Sequence, residues 1–171
     1  MKEIYLIDGY NVINYWQEFK DIREKDLEHA RDLLAHQLSE FVAFHGCDGT
    51  LVYDAMDVPG GEETEWIGPL RVVYTAEHET ADSWIERAAY QMARRGDCRL
   101  FVVTSDKAEQ DMVLGSGGLR ISAREFRAIY GKTKQQIAEG VARLPGSLGR
   151  RELGGRIEDS VARHLEALRR R

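Results

Sequence analysis

Four short apolar runs, at residues 3–7, 50–53, 70–74 and 99–103, divide this chain, and three of them run into an acid: Asp8, Asp54 and, past Thr104-Ser105, Asp106. Runs this short, rich in Val, Ile, Leu and Tyr, read as buried strands rather than helices. Segments of helical period separate them. Leu27, Ala30, Leu34, Leu38 and Phe41 form one apolar face over 26–45, with Asp26 as N-cap and Gly46 as terminator. Ala81, Trp84, Ile85, Ala88 and Met92 do the same over 81–95, with Thr80 as N-cap. Strands alternating with helices build parallel βαβ units, whose right-handed crossovers put helices on both faces of the sheet. The expectation is an α/β fold: a three-layer α/β/α domain with a mostly parallel central sheet over residues 1–145, then a basic C-terminal helical extension at 146–171.

The rest of the chain is punctuation and two further helices. Residues 56–69, with proline, glycines and four acids, read as a mobile loop. A helix is expected over 107–114, stopped by Gly115, Gly117 and Gly118. Ser122 and Glu125 have capping-box spacing and should open a helix running to about 142. Ile157, Val161, Leu165 and Leu168 make an apolar stripe on a terminal helix after the Leu144-Pro145-Gly146 break.

Length and composition exclude several classes. At 171 residues the chain is long enough for one domain with a full core. No apolar run approaches the roughly 20 residues of a membrane span, and Met1-Lys2-Glu3 does not open a signal peptide. Cys47 and Cys98 show no CxxC spacing, so reduced thiols in a cytoplasmic setting are expected, with no membrane partner. The net charge of -5 conceals an asymmetry: residues 1–117 hold 11 basic and 23 acidic side chains, whereas residues 118–171 hold 13 and 6. An acidic body followed by a basic region suits a protein that handles a polyanion; a solvated, Arg-rich helix is the plainer alternative.

Parallel strands end on one edge of their sheet, where α/β folds bind ligands, so Asp8, Asp54 and Asp106 should converge there. Asp82, in the first turn of the helix after strand three, reaches the same edge by the crossover, and the helix dipole favours its ionised form. Clustered carboxylates raise one another's pKa unless a cation intervenes, and hard oxygen donors suit Mg²⁺ or Mn²⁺. Such an ion lowers the pKa of an attacking water and neutralises phosphoryl charge. Asn11, three residues beyond Asp8, is placed to hold a water or a phosphate. Taken singly, each acid has an ordinary reading as a helix cap, and Asp54 also as a turn residue; the set on one edge makes the site. Glycine-rich dinucleotide and P-loop motifs are absent, position 10 is Tyr10 where a haloacid-type phosphatase needs Asp, and the five histidines lack metalloprotease spacing.

The runs Asp8-Gly9-Tyr10-Asn11, Tyr53-Asp54-Ala55, Glu77-His78-Glu79-Thr80-Ala81-Asp82 and Thr104-Ser105-Asp106, in this order over residues 3–130, resemble the NYN domain family, specifically its YacP-like branch. Gly117 to Glu125 resembles that branch too. The resemblance implies a PIN-like fold and a metal-dependent endoribonuclease that cuts mRNA in association with the ribosome. Residue by residue, the family's acidic centre falls on Asp8, Asp82 and Asp106, with Asn11 beside it and Asp54 as an accessory. It implies hydrolysis to 5′-phosphate and 3′-hydroxyl products around one or two Mg²⁺ or Mn²⁺ ions. Arg120, Arg124, Lys132 and Lys134 are the candidates for backbone contact with RNA. Tyr10 and Trp16 are candidates for base stacking, against packing on the sheet. A non-catalytic RNA- or ribosome-binding module and a small-molecule phosphatase are the competing functions.

Overall fold

Six strands lie in the order β3-β4-β2-β1-β5-β6, and every neighbouring pair is parallel except β3–β4. They are β1 (Lys2–Asp8), β2 (Asp48–Tyr53), β3 (Glu63–Ile67), β4 (Leu70–Tyr74), β5 (Cys98–Val103) and β6 (Leu119–Ile121). The helices are α1 (Gly9–Tyr15), α2 (Lys20–Lys25), α3 (Leu27–His45), α4 (Ala81–Ala93) and α5 (Ala123–Ala142), with a 3₁₀ turn at Gln17–Phe19. This computed structural model describes residues 1–55, 58–105 and 118–142. The helices expected at 107–114 and in the 146–171 extension lie outside the described residues, as does the 145/146 boundary. Residues Met1–Ile129 form one compact unit; of the second, Tyr130–Arg171, the described part is the helical stretch 130–142. No helix among the described residues is long and apolar enough to cross a membrane.

Alternation along β1 sorts the two faces. Leu6, Val52, Val73, Leu100 and Val102 pack on one face against Ala81, Trp84, Ile85, Ala88 and Ala89 of α4. Tyr5 points to the other, edge-on to Phe41 of α3 with ring centroids 5.4 Å apart and stacked on Phe101 at 4.7 Å. Phe126 of α5 joins that layer, 5.3 Å from Phe41 and 5.8 Å from Trp16. The α/β/α sandwich is therefore present as expected. The helix starts are also where the sequence puts them. Asp26 accepts the His29 N–H, Thr80 accepts the Ser83 N–H, and Ser122 and Glu125 cap each other reciprocally. Gly46 closes α3 with a φ of 61°, the left-handed geometry glycine tolerates.

Three elements differ from the sequence reading. The stretch 56–69 is not a loop throughout, because residues 63–67 form β3, an antiparallel edge strand on β4. Its turn is Gly68-Pro69, with Gly68 at φ 55°, and a positive φ followed by proline gives the φ signs of a type II′ hairpin turn. The acids of this stretch concealed the strand: Glu63, Glu65 and Trp66 are exposed, so no buried face alternates with a polar one. The second difference is the pair of short helices α1 and α2 between β1 and α3, and the third is β6, only three residues long, beside β5. Segments of three to seven residues carry too few positions to display a period.

Candidate active site

The register of the sheet brings the carboxyl ends of β1, β2 and β5 together: Asp8 stands beside Val52, and Ile7 beside Val103. Asp8 ends the central strand and is 8% exposed. One of its oxygens accepts the Asn11 backbone N–H at 3.2 Å, so it caps α1 as well as facing the edge. Burial drives its pKa up from 3.8 to about 7; the Asn11 N–H opposes this, while the Asp82 charge, a hydrogen bond with the Asp82 carboxyl and the Asp54 charge reinforce it. Asp8 and Asp82 thus lie within hydrogen-bonding reach of each other, with Asp54 close enough to repel. The two half-buried partners arrive by different routes, Asp54 directly after β2 and Asp82 in the first turn of α4. Because Thr80 caps α4, the Asp82 carboxylate is not consumed as a cap.

Asp106 lies outside the described residues. The residues before it are ordered toward the same edge: the Ser105 N–H donates to the Asn11 side-chain oxygen at 3.0 Å, and the Ser105 hydroxyl accepts the Ala123 N–H at 3.1 Å. Asn11 therefore ties the end of β5 to α1 through its amide oxygen. The oxygen of the side chain expected to hold a water or a phosphate is thus engaged within the protein. Among the described residues, no group of three His, Cys, Asp or Glu side chains stands at metal-ligating spacing.

The other candidates separate. Arg120 is half-buried on β6, its Nε donating to the Thr104 carbonyl at 3.4 Å, which sets it beside the end of β5. Arg124 is exposed in the first turn of α5; Lys132 and Lys134 are exposed farther along that helix. Tyr10 is half-buried, its ring 5.1 Å from that of Tyr53 and its hydroxyl accepting from Arg31. Trp16 is closed to RNA. It is 1% exposed, its indole N–H donates to the Ala123 carbonyl at 2.8 Å, and Arg127 covers its ring.

Thr75 went unnoticed in the sequence. Its buried hydroxyl accepts the Ala55 N–H at 2.9 Å and donates to the Glu79 carbonyl at 2.7 Å, while its own N–H donates to Tyr53. One side chain thus joins the segment carrying Asp54 to the one leading into Asp82. A lone threonine after a strand gives no sign of that in one dimension. Thr75→Val is expected to cost about 2 kcal/mol, because it strands one buried donor and one acceptor, and Thr75→Ser to recover most of it; urea unfolding of the three proteins checks this.

Comparison with known proteins gives the family and the fold. Residues 5–170 match the family described as the YacP-like NYN domain. Protein YacP of Bacillus subtilis (strain 168) is 35% identical over 142 residues, covering 83% of each chain. The crystal structure of Rae1 (YacP) from Bacillus subtilis superposes with a TM-score of 0.71 at 36% identity, over 82% of this chain and 80% of that one. A single-substitution mutant of the same protein gives a TM-score of 0.78 at 30% identity, over 99% and 96%. The chain belongs to the YacP-like NYN domain family and carries its PIN-like, nuclease-type fold.

Proposed function

We propose that this protein is a divalent-metal-dependent endoribonuclease of the cytoplasm that hydrolyses RNA phosphodiesters, with mRNA on or near the ribosome as its substrate. The observation that carries the reading is the crowding of Asp8 against Asp82, with the Asp54 charge also acting on Asp8 from the next strand end. A domain that only binds RNA gains nothing from acids facing phosphate. Here one acid is buried at the end of the central strand, where its ionised form is disfavoured until a cation arrives. The donor set is all carboxylate oxygen, which fits Mg²⁺ or Mn²⁺ and not a softer metal. Asp8 and Asp82 would hold the ion, Asp106 would complete the set and Asp54 would assist. A bound ion supplies Lewis-acid polarisation of the phosphoryl oxygen and a lowered pKa for the attacking water.

The protein's own groups do the positioning. Asn11 holds the end of β5, through the Ser105 N–H, against α1. Arg120, anchored on Thr104, has its terminal guanidinium nitrogens to offer a phosphate, and Arg124, Lys132 and Lys134 add cations to α5. Tyr10, two residues past Asp8, offers a ring to a neighbouring base.

Purified protein incubated with a long RNA should cleave it with Mn²⁺ or Mg²⁺ and stop when EDTA is added. The products should carry 5′-phosphates, read by their susceptibility to a 5′-phosphate-dependent exonuclease. Cleavage confined to reactions with translating ribosomes would retain the ribosome-dependent form of the proposal. Intact RNA with every metal, with and without ribosomes, would leave a binding module as the function.

A further inference from the structure

A guanidinium with no acidic partner among the described residues sits one side chain away from the carboxylate edge. Arg31, on α3, donates from Nη1 to the Tyr10 hydroxyl at 3.0 Å, and its Cζ lies 5.9 Å from the centre of the Tyr74 ring. Its Nε is buried and meets no hydrogen-bond acceptor among the described residues. Its backbone carbonyl accepts the Tyr53 hydroxyl at 3.1 Å, and the Tyr53 ring lies 5.1 Å from Tyr10 and 5.7 Å from Tyr74. Three tyrosines therefore frame the side chain. The ion pairs of the described residues run between carboxylates and Lys2, Arg71, His78, Arg87, Arg99 or Arg127, and Arg31 is in none of them. Asp32, its neighbour on α3, is exposed and bears on Tyr53 and Tyr74 without pairing with Arg31.

Such a cation is unusual in an acidic body. Charged side chains packed among rings are ordinarily neutralised by a carboxylate, and this one is held by a ring face and a neutral hydroxyl. With Nε buried, its Nη groups are what it can offer a phosphate, and because the rings already restrict it, little side-chain freedom is lost when an anion arrives. Its connection to the site is Tyr10, which follows Asp8 and Gly9 directly. It stands on α3 behind Tyr10 and makes none of its contacts with Asp8 itself, which suits it to a phosphate beside the reacting one.

We propose that Arg31, framed by Tyr10, Tyr53 and Tyr74, binds a backbone phosphate of the RNA strand next to the scissile bond. This rests on the endoribonuclease reading above and extends it, since it routes the strand over α3 in addition to the basic residues beyond 117. The contact carries no base information; it sets the register of the strand on the carboxylate edge.

The test is binding of a fluorescein-labelled oligouridylate by anisotropy over a NaCl series. It is done in EDTA with an Asp8→Asn background, so that no cleavage intervenes. Adding Arg31→Met should weaken binding about tenfold and reduce the slope of log K against log salt by about 0.7, the value for one phosphate contact on a single strand. A merely structural arginine would change the melting temperature and leave that slope alone. Arg31→Gln replaces Arg31→Met if circular dichroism shows the latter unfolded. Tyr10→Phe keeps the cation and should keep the slope. An unchanged slope in Arg31→Met, or an equal loss of slope in Tyr10→Phe, overturns the inference while leaving the carboxylate site untouched. Absence of any RNA binding by the Asp8→Asn parent also overturns this inference, whereas the function on which it rests is decided separately by the cleavage assay with and without ribosomes.

Discussion

Asp8→Asn is expected to abolish RNA hydrolysis and, at the same time, to make the metal-free protein more stable at neutral pH. The loss of activity should be roughly 10³-fold, the scale at which removing one charged element of a preorganised site is felt. The gain in stability follows from burial. The folded Asp8 carboxyl binds its proton up to about pH 7, whereas the same group in an unfolded chain releases it near 3.8. The folded state therefore holds the extra proton between those values, and stability falls as pH rises through that window, reaching its full penalty above about pH 7. Three pKa units correspond to about 4 kcal/mol, and the Asn11 N–H that still caps α1 argues for a gain of about 2–4 kcal/mol. Urea unfolding in EDTA should show wild type losing stability between about pH 4 and pH 7, and Asp8→Asn much less so. Mn²⁺ should raise the wild-type midpoint and leave the variant's unmoved. A variant that is less stable than wild type at about pH 8, or that still cuts RNA, would remove Asp8 from the centre of the site.

The second large effect is expected from a methyl group. Gly9 begins α1 immediately after Asp8, and a Cβ there would lie 2.3 Å from Cε1 and 2.6 Å from Cδ1 of Tyr53. Tyr53 is fully buried, its ring packed between Tyr10 and Tyr74 and its hydroxyl bonded to the Arg31 carbonyl, so it has nowhere to swing. Gly9→Ala should cost about 3 kcal/mol through overpacking. It should also displace the cap that Asp8 provides, lowering cleavage at temperatures where the fold persists. The compensating change is on the ring: Gly9→Ala with Tyr53→Leu should unfold later than the sum of the two single changes implies, which a double-mutant cycle would measure. Strict additivity would mean that the ring is not what excludes the methyl.

How far these features were visible in one dimension depends on their range. The Asp26, Thr80 and Ser122 caps were legible because a cap and its partner lie three residues apart, and the strand ends at Asp8 and Asp54 because an apolar run stops at a charge. β3 was not legible, since an exposed edge strand has no buried face to alternate with. Trp16 read more readily as core than as a stacking platform, and a hydrogen bond to Ala123, 107 residues away, closes it. Thr75 and Arg31 gave no signal, because what matters in each is a contact with segments remote in the chain.

The order of apolar runs and helical periods was enough to imply an α/β/α sandwich with Asp8, Asp54 and Asp82 at one sheet edge, since period and chain direction are local properties that parallel topology converts into position. Folding alone revealed how closely they meet: that Asp8 is buried with the Asp82 carboxyl crowding it, that Asn11 fastens β5 to α1, and that Thr75 holds two of the loops together. Burial and charge crowding depend on what every other segment packs against, and that information is spread over the whole chain.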